Sequence, residues 1–199
     1  YIFKTMFRRC LAALTACLLI TNLLDAAPRK PIKVFILAGQ SNMEGHGTVN
    51  ANSARNNGKG SLEYLVNNSD TAAQYQHTVN SDGTWVKRDD VWIEYLGRKG
   101  NLSVGFGARD HLFGPEFQFG HVVGDHFKEQ VLIIKTAWGG KSLAGDFRPP
   151  SSGGVTGPFF TEMVSHVKQV LNDLEKLFPD YRGQGYPIEG FGWHQGWND

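Results

Sequence analysis

Three short apolar runs, each ending at glycine or polar residues, restrict this chain to a small set of folds. Residues 32–38 (IKVFILA) run into Gly39, and residues 131–136 (VLIIKT) lead toward Gly139 and Gly140. Residues 188–193 form a weaker third run that ends before His194-Gln195-Gly196. Runs of this length, rich in β-branched residues, are the mark of buried strands. Between the second and third, Phe159, Met163, Val164, Val167, Val170, Leu171, Leu174 and Phe178 recur at three- and four-residue spacing. That spacing predicts a helix with Pro158 in its first turn and Pro179 at its end. A shorter helix is expected from 115 to about 127, with Glu116 near the positive end of its dipole. Apolar strands alternating with helices give an α/β fold, a three-layer α/β/α sandwich around a mainly parallel sheet.

The segment from 45 to about 113 breaks this pattern, being polar and rich in Asn and Gly. Its signals are short: a helix within 60–75 and strands at 84–86 and 91–95. It reads as a large excursion over the sheet rather than a separate domain, because 199 residues suffice for one domain and not for two. Lys and Arg number 20 against 19 Asp and Glu, a formal net charge of +1. So balanced a chain lacks the basic footprint of a nucleic-acid binder. The 24 glycines exceed the average share and have no period, which excludes a collagen-like or low-complexity chain.

Residues 1–27 read as a leader. Met6, Phe7, Arg8 and Arg9 give a basic start, and residues 10–24 are apolar except for Thr15, Thr21 and Asn22. Leu24-Asp25-Ala26-Ala27 then supplies small residues for cleavage, before Pro28-Arg29-Lys30 opens a polar stretch. This is the layout of a secretory signal peptide, with an apolar core too short for a comfortable membrane span, and a membrane anchor left in place is the alternative. Met6 is taken as the start, residues 28–199 as the mature domain, and the location as secreted or periplasmic, with no stable membrane partner after cleavage. Leu14-Thr15-Ala16-Cys17 resembles a lipobox, but the apolar Leu18-Leu19-Ile20 that follow make lipidation the minor alternative. Cys10 and Cys17 both lie in the leader, so the mature chain is expected to hold no disulfide, thiol nucleophile or Cys-ligated metal.

Ligands of open parallel α/β sheets sit just beyond the carboxyl ends of the strands. Here those ends are Gly39-Gln40-Ser41-Asn42-Met43, Gly139-Gly140-Lys141-Ser142 and His194-Gln195-Gly196, which point to one shared site. Ser41 is the candidate nucleophile, since Gly39 permits a tight turn that stands the hydroxyl at the sheet edge. A serine after a strand is more often a helix cap. Met43 excludes the Gly-x-Ser-x-Gly elbow of α/β-hydrolases.

The blocks beginning at Val34 (VFILAGQSNM), Gly114 (GPEF), Lys135 (KTAWGGKSL) and Trp193 (WHQG) are together more specific. In this order they resemble the sialate O-acetylesterase and acetylxylan-esterase-like branch of the SGNH hydrolases, over nearly the whole mature chain. The resemblance implies a flavodoxin-like α/β/α sandwich and removal of O-acetyl groups from a carbohydrate through an acyl-enzyme on Ser41. It also implies an oxyanion hole formed by the N–H of Ser41, the N–H of Gly140 and the side-chain amide of Gln195. Three neutral donors suit that task, because they stabilise a tetrahedral oxyanion without competing for the serine's proton. Trp197 stands where the family has Glu, and Asp199 matches an acidic position often seen there. The family takes its catalytic histidine from a late Asp-x-x-His block, absent from these 199 residues, so the domain is expected to be incomplete at its C-terminus.

Other histidines are weaker candidates for the base. His194 lies nearest the site in sequence, yet the resemblance makes it a support. His46 reads as a substrate or solvent contact, and His77, His111 and His166 as surface residues. His121, Asp125 and His126 form a tempting cluster, but 121 and 126 fall on different helix faces, and no metal is expected. Gly139-Gly140-Lys141-Ser142 mimics a phosphate-binding loop, but Lys135 occupies the place of its first glycine. No cofactor is implied. The rival reading is a non-catalytic carbohydrate-binding domain of the same fold, with Trp85, Trp92, Trp138, Trp193 or Trp197 stacking on sugars.

Overall fold

A computed structural model of the chain describes residues 29–196, so the readings of the leader, Cys10, Cys17, Trp197 and Asp199 lie outside the described residues. In chain order the elements are β1 (Lys33–Gly39), α1 (Ser41–Glu44), β2 (Gly47–Thr48), α2 (Leu62–Asn67) and α3 (Ala72–Tyr75). There follow β3 (Arg88–Tyr95), β4 (Arg98–Leu102), β5 (Leu112–Phe113), α4 (Pro115–His126) and β6 (Val131–Ala137). The last are α5 (Pro158–Asn172), α6 (Leu174–Leu177) and β7 (Ile188–His194). The main sheet has the order β4-β3-β6-β1-β7, and a separate ribbon pairs β2 with β5. Neighbouring strands from β3 to β7 are parallel, and only β4 is antiparallel, returning from β3 through a tight turn at Leu96-Gly97. The expected mainly parallel α/β sandwich is therefore what forms.

Side-chain alternation along the strands builds the two outer layers. Leu37, Val91, Ile93, Val131 and Ile133 face one way and pack with Val123 of α4 and Met43 of α1. Val34, Trp92, Leu132 and Ile134 face the other way against Val170 of α5, Leu174 of α6 and Phe178. Strand β6 is buried at all seven positions, which accounts for the continuous apolar run Val131 to Ile134 at its start. Last in the sheet among the described residues, β7 leaves Ile188 and Phe191 about half exposed, consistent with its weaker signal.

Three expectations change in detail. The excursion is narrower than 45–113, because β3 and β4 lie inside that segment and belong to the main sheet. The strand expected at 91–95 is the apolar part of β3, which starts earlier at the charged Arg88-Asp89-Asp90, while β4, with Lys99 and Gly100, gives no strand signal; Val91 to Ile93 are buried between β6 and β4. Residues 84–86 form no strand, only an isolated bridge between Val79 and Trp85. The helix after Pro158 breaks at Asp173, whose ψ of 15° separates α5 from α6.

Candidate active site

The carboxyl ends of three parallel strands meet in register: Gly39 of β1 is paired with Ala137 of β6 and with His194 of β7. The loops that follow, at Gln40, Trp138 and Gln195, thus leave from one line across the sheet. From β1 the chain enters α1 on one face, whereas from β6 it goes on to α5 on the other. Adjacent strands whose continuations part to opposite faces open a crevice at that point. Ser41, Gly140 and Gln195 all follow these aligned ends by one to three residues. The structure therefore brings the predicted residues to one edge of the sheet.

Gly39 fixes the turn. Its φ of +152° disfavours a side chain, and a Cβ there would stand 2.2 Å from the carbonyl oxygen of His194. The next residue, Gln40, is fully buried. Its carbonyl accepts from the N–H groups of Met43 and Glu44, both at 2.9 Å, which closes the single turn of α1. Its side-chain amide donates to the carbonyl of Gly196, and its Oε1 accepts from the Ser41 hydroxyl at 2.8 Å. Gln40 thus clamps the Ser41 turn to the loop after β7. Sequence reasoning missed this residue; the one available signal was an amide directly after a fully apolar strand.

The same bond describes the resting state of Ser41, whose hydroxyl donates to an amide oxygen, a very weak base. Among the described residues no histidine nitrogen is hydrogen-bonded to it. His194 has an exposed side chain, and its carbonyl is the group pressed against Gly39. Gln195 donates from Nε2 to the carbonyl of Lys141 at 2.9 Å, tying the β7 exit to the β6 exit. Gly140 has a φ of +69°, the left-handed backbone that glycine supplies without strain. Aromatic rings hold both loops. Trp138 packs edge-on to Phe159 at 5.4 Å, and Phe147 packs edge-on to Trp193 at 4.9 Å.

Against the end of α1 lies a buried ion pair that sequence reasoning did not assign. Lys135 of β6 and Glu116 of α4 are both fully buried and meet at 2.6 Å. Lys135 Nζ also donates to the carbonyls of Glu44 and Phe106, each at 2.7 Å, and lies 4.5 Å over the Tyr95 ring. The second oxygen of Glu116 accepts from the N–H of Gly114 at 2.8 Å. Burial pushes the Glu116 carboxyl up and the Lys135 ammonium down, and their mutual attraction opposes both shifts. Burial also raises the Tyr95 phenol, helped by the negative charge of Glu44. Through the Glu44 carbonyl, this pair anchors the far end of α1 to the sheet.

Of the histidines read as surface residues, His77 and His111 are exposed, His77 sharing a hydrogen bond with Gln118 at 2.9 Å, whereas the side chain of His166 is mostly covered, its Nε2 2.5 Å from Glu94 Oε2.

A serine turn at the carboxyl edge of a parallel sheet, with glycine loops from the neighbouring strands, defines a hydrolase-type α/β scaffold. A family profile described as carbohydrate esterase, sialic acid-specific acetylesterase, matches residues 31–199. The chain belongs to that carbohydrate esterase family. Among solved structures, a protein from Arabidopsis thaliana is similar at 16% identity, covering 83% of this chain and 58% of its own, with a TM-score of 0.48. A carbohydrate acetylesterase from Xanthomonas citri is similar at 14% identity, covering 82% of this chain and 32% of its own, with a TM-score of 0.39. The chain thus spans less than two thirds of either structure. No curated protein matches it.

Proposed function

We propose that the protein is a serine esterase that removes O-acetyl groups from carbohydrates, acting outside the cytoplasm on the reading of residues 6–27 as an export signal. The observation that carries this is the shared edge where Gly39, Ala137 and His194 align, with Ser41 clamped to the β7 loop by Gln40. Family membership supports the substrate class. In the reaction, Ser41 Oγ attacks the acetyl carbonyl while its proton passes to a base. The tetrahedral oxyanion is held by the N–H groups of Ser41 and Gly140 and by the side-chain amide of Gln195. Collapse expels the sugar oxygen, which takes up a proton, and water then releases acetate from the acyl-serine.

The hydroxyl has to leave Gln40 Oε1 for a base before it can attack. The family's source of that base is an Asp-x-x-His block, and residues 29–196 contain none. That same bond favours a second reading, a sugar-binding domain without turnover. Replacing Ser41 by alanine separates the two. With an aryl acetate and an O-acetylated sialic acid as substrates, Ser41→Ala is expected to lower kcat/KM by at least about 10³-fold. A fluorophosphonate is expected to label Ser41 of the parent, read by peptide mass spectrometry. Equal hydrolysis by parent and variant would exclude the acyl-enzyme, and sugar binding without hydrolysis or labelling would favour the binding domain.

A further inference from the structure

A cleft of about 440 Å³ lies within the polar excursion. Arg55, Lys59 and Arg109 line it with His46 and His111, and no Asp or Glu does. These three permanent cations are exposed and form no ion pair among the described residues, whereas Lys33, Arg88 and Lys135 all do. The nearby carboxylates are turned to the histidines, Glu44 lying 3.7 Å from His46 and Asp110 lying 3.2 Å from His111. With 20 basic and 19 acidic residues in the chain, such a group is not a by-product of overall charge. Like charges gathered in one concavity repel until an anion enters, and a concave surface of one sign focuses its field on that anion.

Both walls of the cleft are fixed. On one, Asn56, Asn57, Gly58 and Gly60 have φ of 50°, 54°, 77° and 88°. Left-handed backbone costs a non-glycine residue about 1–2 kcal/mol, and it persists only where surrounding contacts impose it. Here the Gly58 N–H donates to the Arg55 carbonyl and the Lys59 N–H to the Asn56 carbonyl, both at 3.0 Å. The Ser61 hydroxyl donates to the carbonyl of Gly58 at 2.8 Å, and buried Gly58 lies against Ala51. This turn carries Arg55 and Lys59 at its two ends.

On the other wall, the Leu112 N–H donates to the Arg109 carbonyl at 3.0 Å, and its own carbonyl accepts from Gly105 and Gly107 at 3.1 and 3.0 Å. Leu112 also pairs with Thr48 in the β2–β5 ribbon. Arg109 and His111 thus stand on a closed turn, tied through the ribbon to the segment that bears His46.

The lining selects among anions. No Trp, Tyr or Phe is present, and Leu112 is the one apolar side chain, so there is no platform for a sugar ring or a nucleobase. Recognition falls on the anion itself. A carboxylate carries one charge and is satisfied in plane by a single guanidinium. A phosphate group carries close to two charges near neutral pH and offers three strong acceptor oxygens, enough to face cations on two walls at once.

We propose that this cleft is a phosphate site, taking free phosphate or a phosphate monoester through Arg55, Lys59 and Arg109. The acyl-enzyme scheme uses none of these residues, so the proposal stands or falls apart from it.

Calorimetric titration of the chain with inorganic phosphate, glycerol 3-phosphate and acetate, at equal ionic strength near neutral pH, tests this. Phosphate is expected to bind at least about tenfold more tightly than acetate. Glycerol 3-phosphate separates the two sources: affinity matching that of phosphate means that a monoester is taken, and its rejection leaves the free ion as the ligand. Arg55→Gln/Arg109→Gln is expected to weaken phosphate by about tenfold or more and to flatten its salt dependence. Lys59→Gln is expected to weaken it by about threefold or more. Lys128→Gln, which changes an exposed lysine outside the cleft, should leave it unchanged. Phosphate no tighter than acetate, or a folded arginine variant that binds like the parent, overturns the proposal. If the arginine variant does not fold, unchanged binding by Lys59→Gln does so. Equal weakening by Lys128→Gln and Lys59→Gln also overturns it, since the attraction would then be diffuse.

Discussion

At the scale of single residues, the site depends on Gly39 and Gln40 as much as on Ser41. Gly39 is where β1 and β7 come closest, and no side chain fits between its Cα and the His194 carbonyl. Gly39→Ala is therefore expected to pry the two strands apart at their carboxyl ends. Relieving a 2.2 Å contact against backbone, which cannot rotate away, should cost about 1–3 kcal/mol of stability. Esterase activity should fall further than stability, since the displaced strand carries Gln195. Urea denaturation paired with aryl-acetate kinetics checks this, and a fully stable, fully active alanine variant would contradict it. The need for glycine was legible from the strand-turn pattern. The clamp by Gln40 was not, because a glutamine after a strand looks the same in sequence whether it faces solvent or bridges two loops.

At the scale of elements, the strands and long helices followed from periodicity, whereas the polar core between them did not. Strands β1 and β6 and helices α4 and α5 lie where apolar spacing put them, to within a few residues. The apolar part of β3, at 91–95, was legible, but its charged start and the edge strand β4 were not, since edge and near-edge strands carry charges that dilute the signal. Lys135 shows the same limit inside an apolar strand. Its neighbours announce burial, but nothing in the sequence reveals that Glu116, from a different element, meets it there. This pair joins β6, α4 and the end of α1, so removing one member leaves a buried charge without its counter-charge. Lys135→Met is expected to cost about 3–5 kcal/mol, and Lys135→Met/Glu116→Gln to recover part of that loss. Thermal or urea unfolding of the three proteins measures the coupling. A double variant no better than the single one would show that the anchor at Glu44, rather than charge balance, carries the cost.

At the scale of the whole molecule, stability should depend on pH through a buried histidine of α4. His121 of α4 is 2% exposed, with its ring packed against Phe117 at 5.0 Å and His77 at 5.1 Å. Its buried Nε2 has no hydrogen-bond partner. Burial lowers its pKa to about 4, with the charges of Arg88 and His77 adding to the shift and Asp125 and Asp90 opposing it. The unfolded chain takes up this proton near pH 6.5, but the folded one does so only near 4. Between those values the unfolded state binds more protons, so stability falls as the pH drops and levels off below about 4. The contribution, fully present above pH 6.5, amounts to at most about 3 kcal/mol. His121→Leu keeps a buried side chain of similar size and removes the titration. Urea midpoints from pH 7 to 4.5 should therefore decline less steeply for the variant than for the parent. Parallel declines would mean that His121 is protonated in the folded state at the same pH as in the unfolded one, and that its burial carries no linkage.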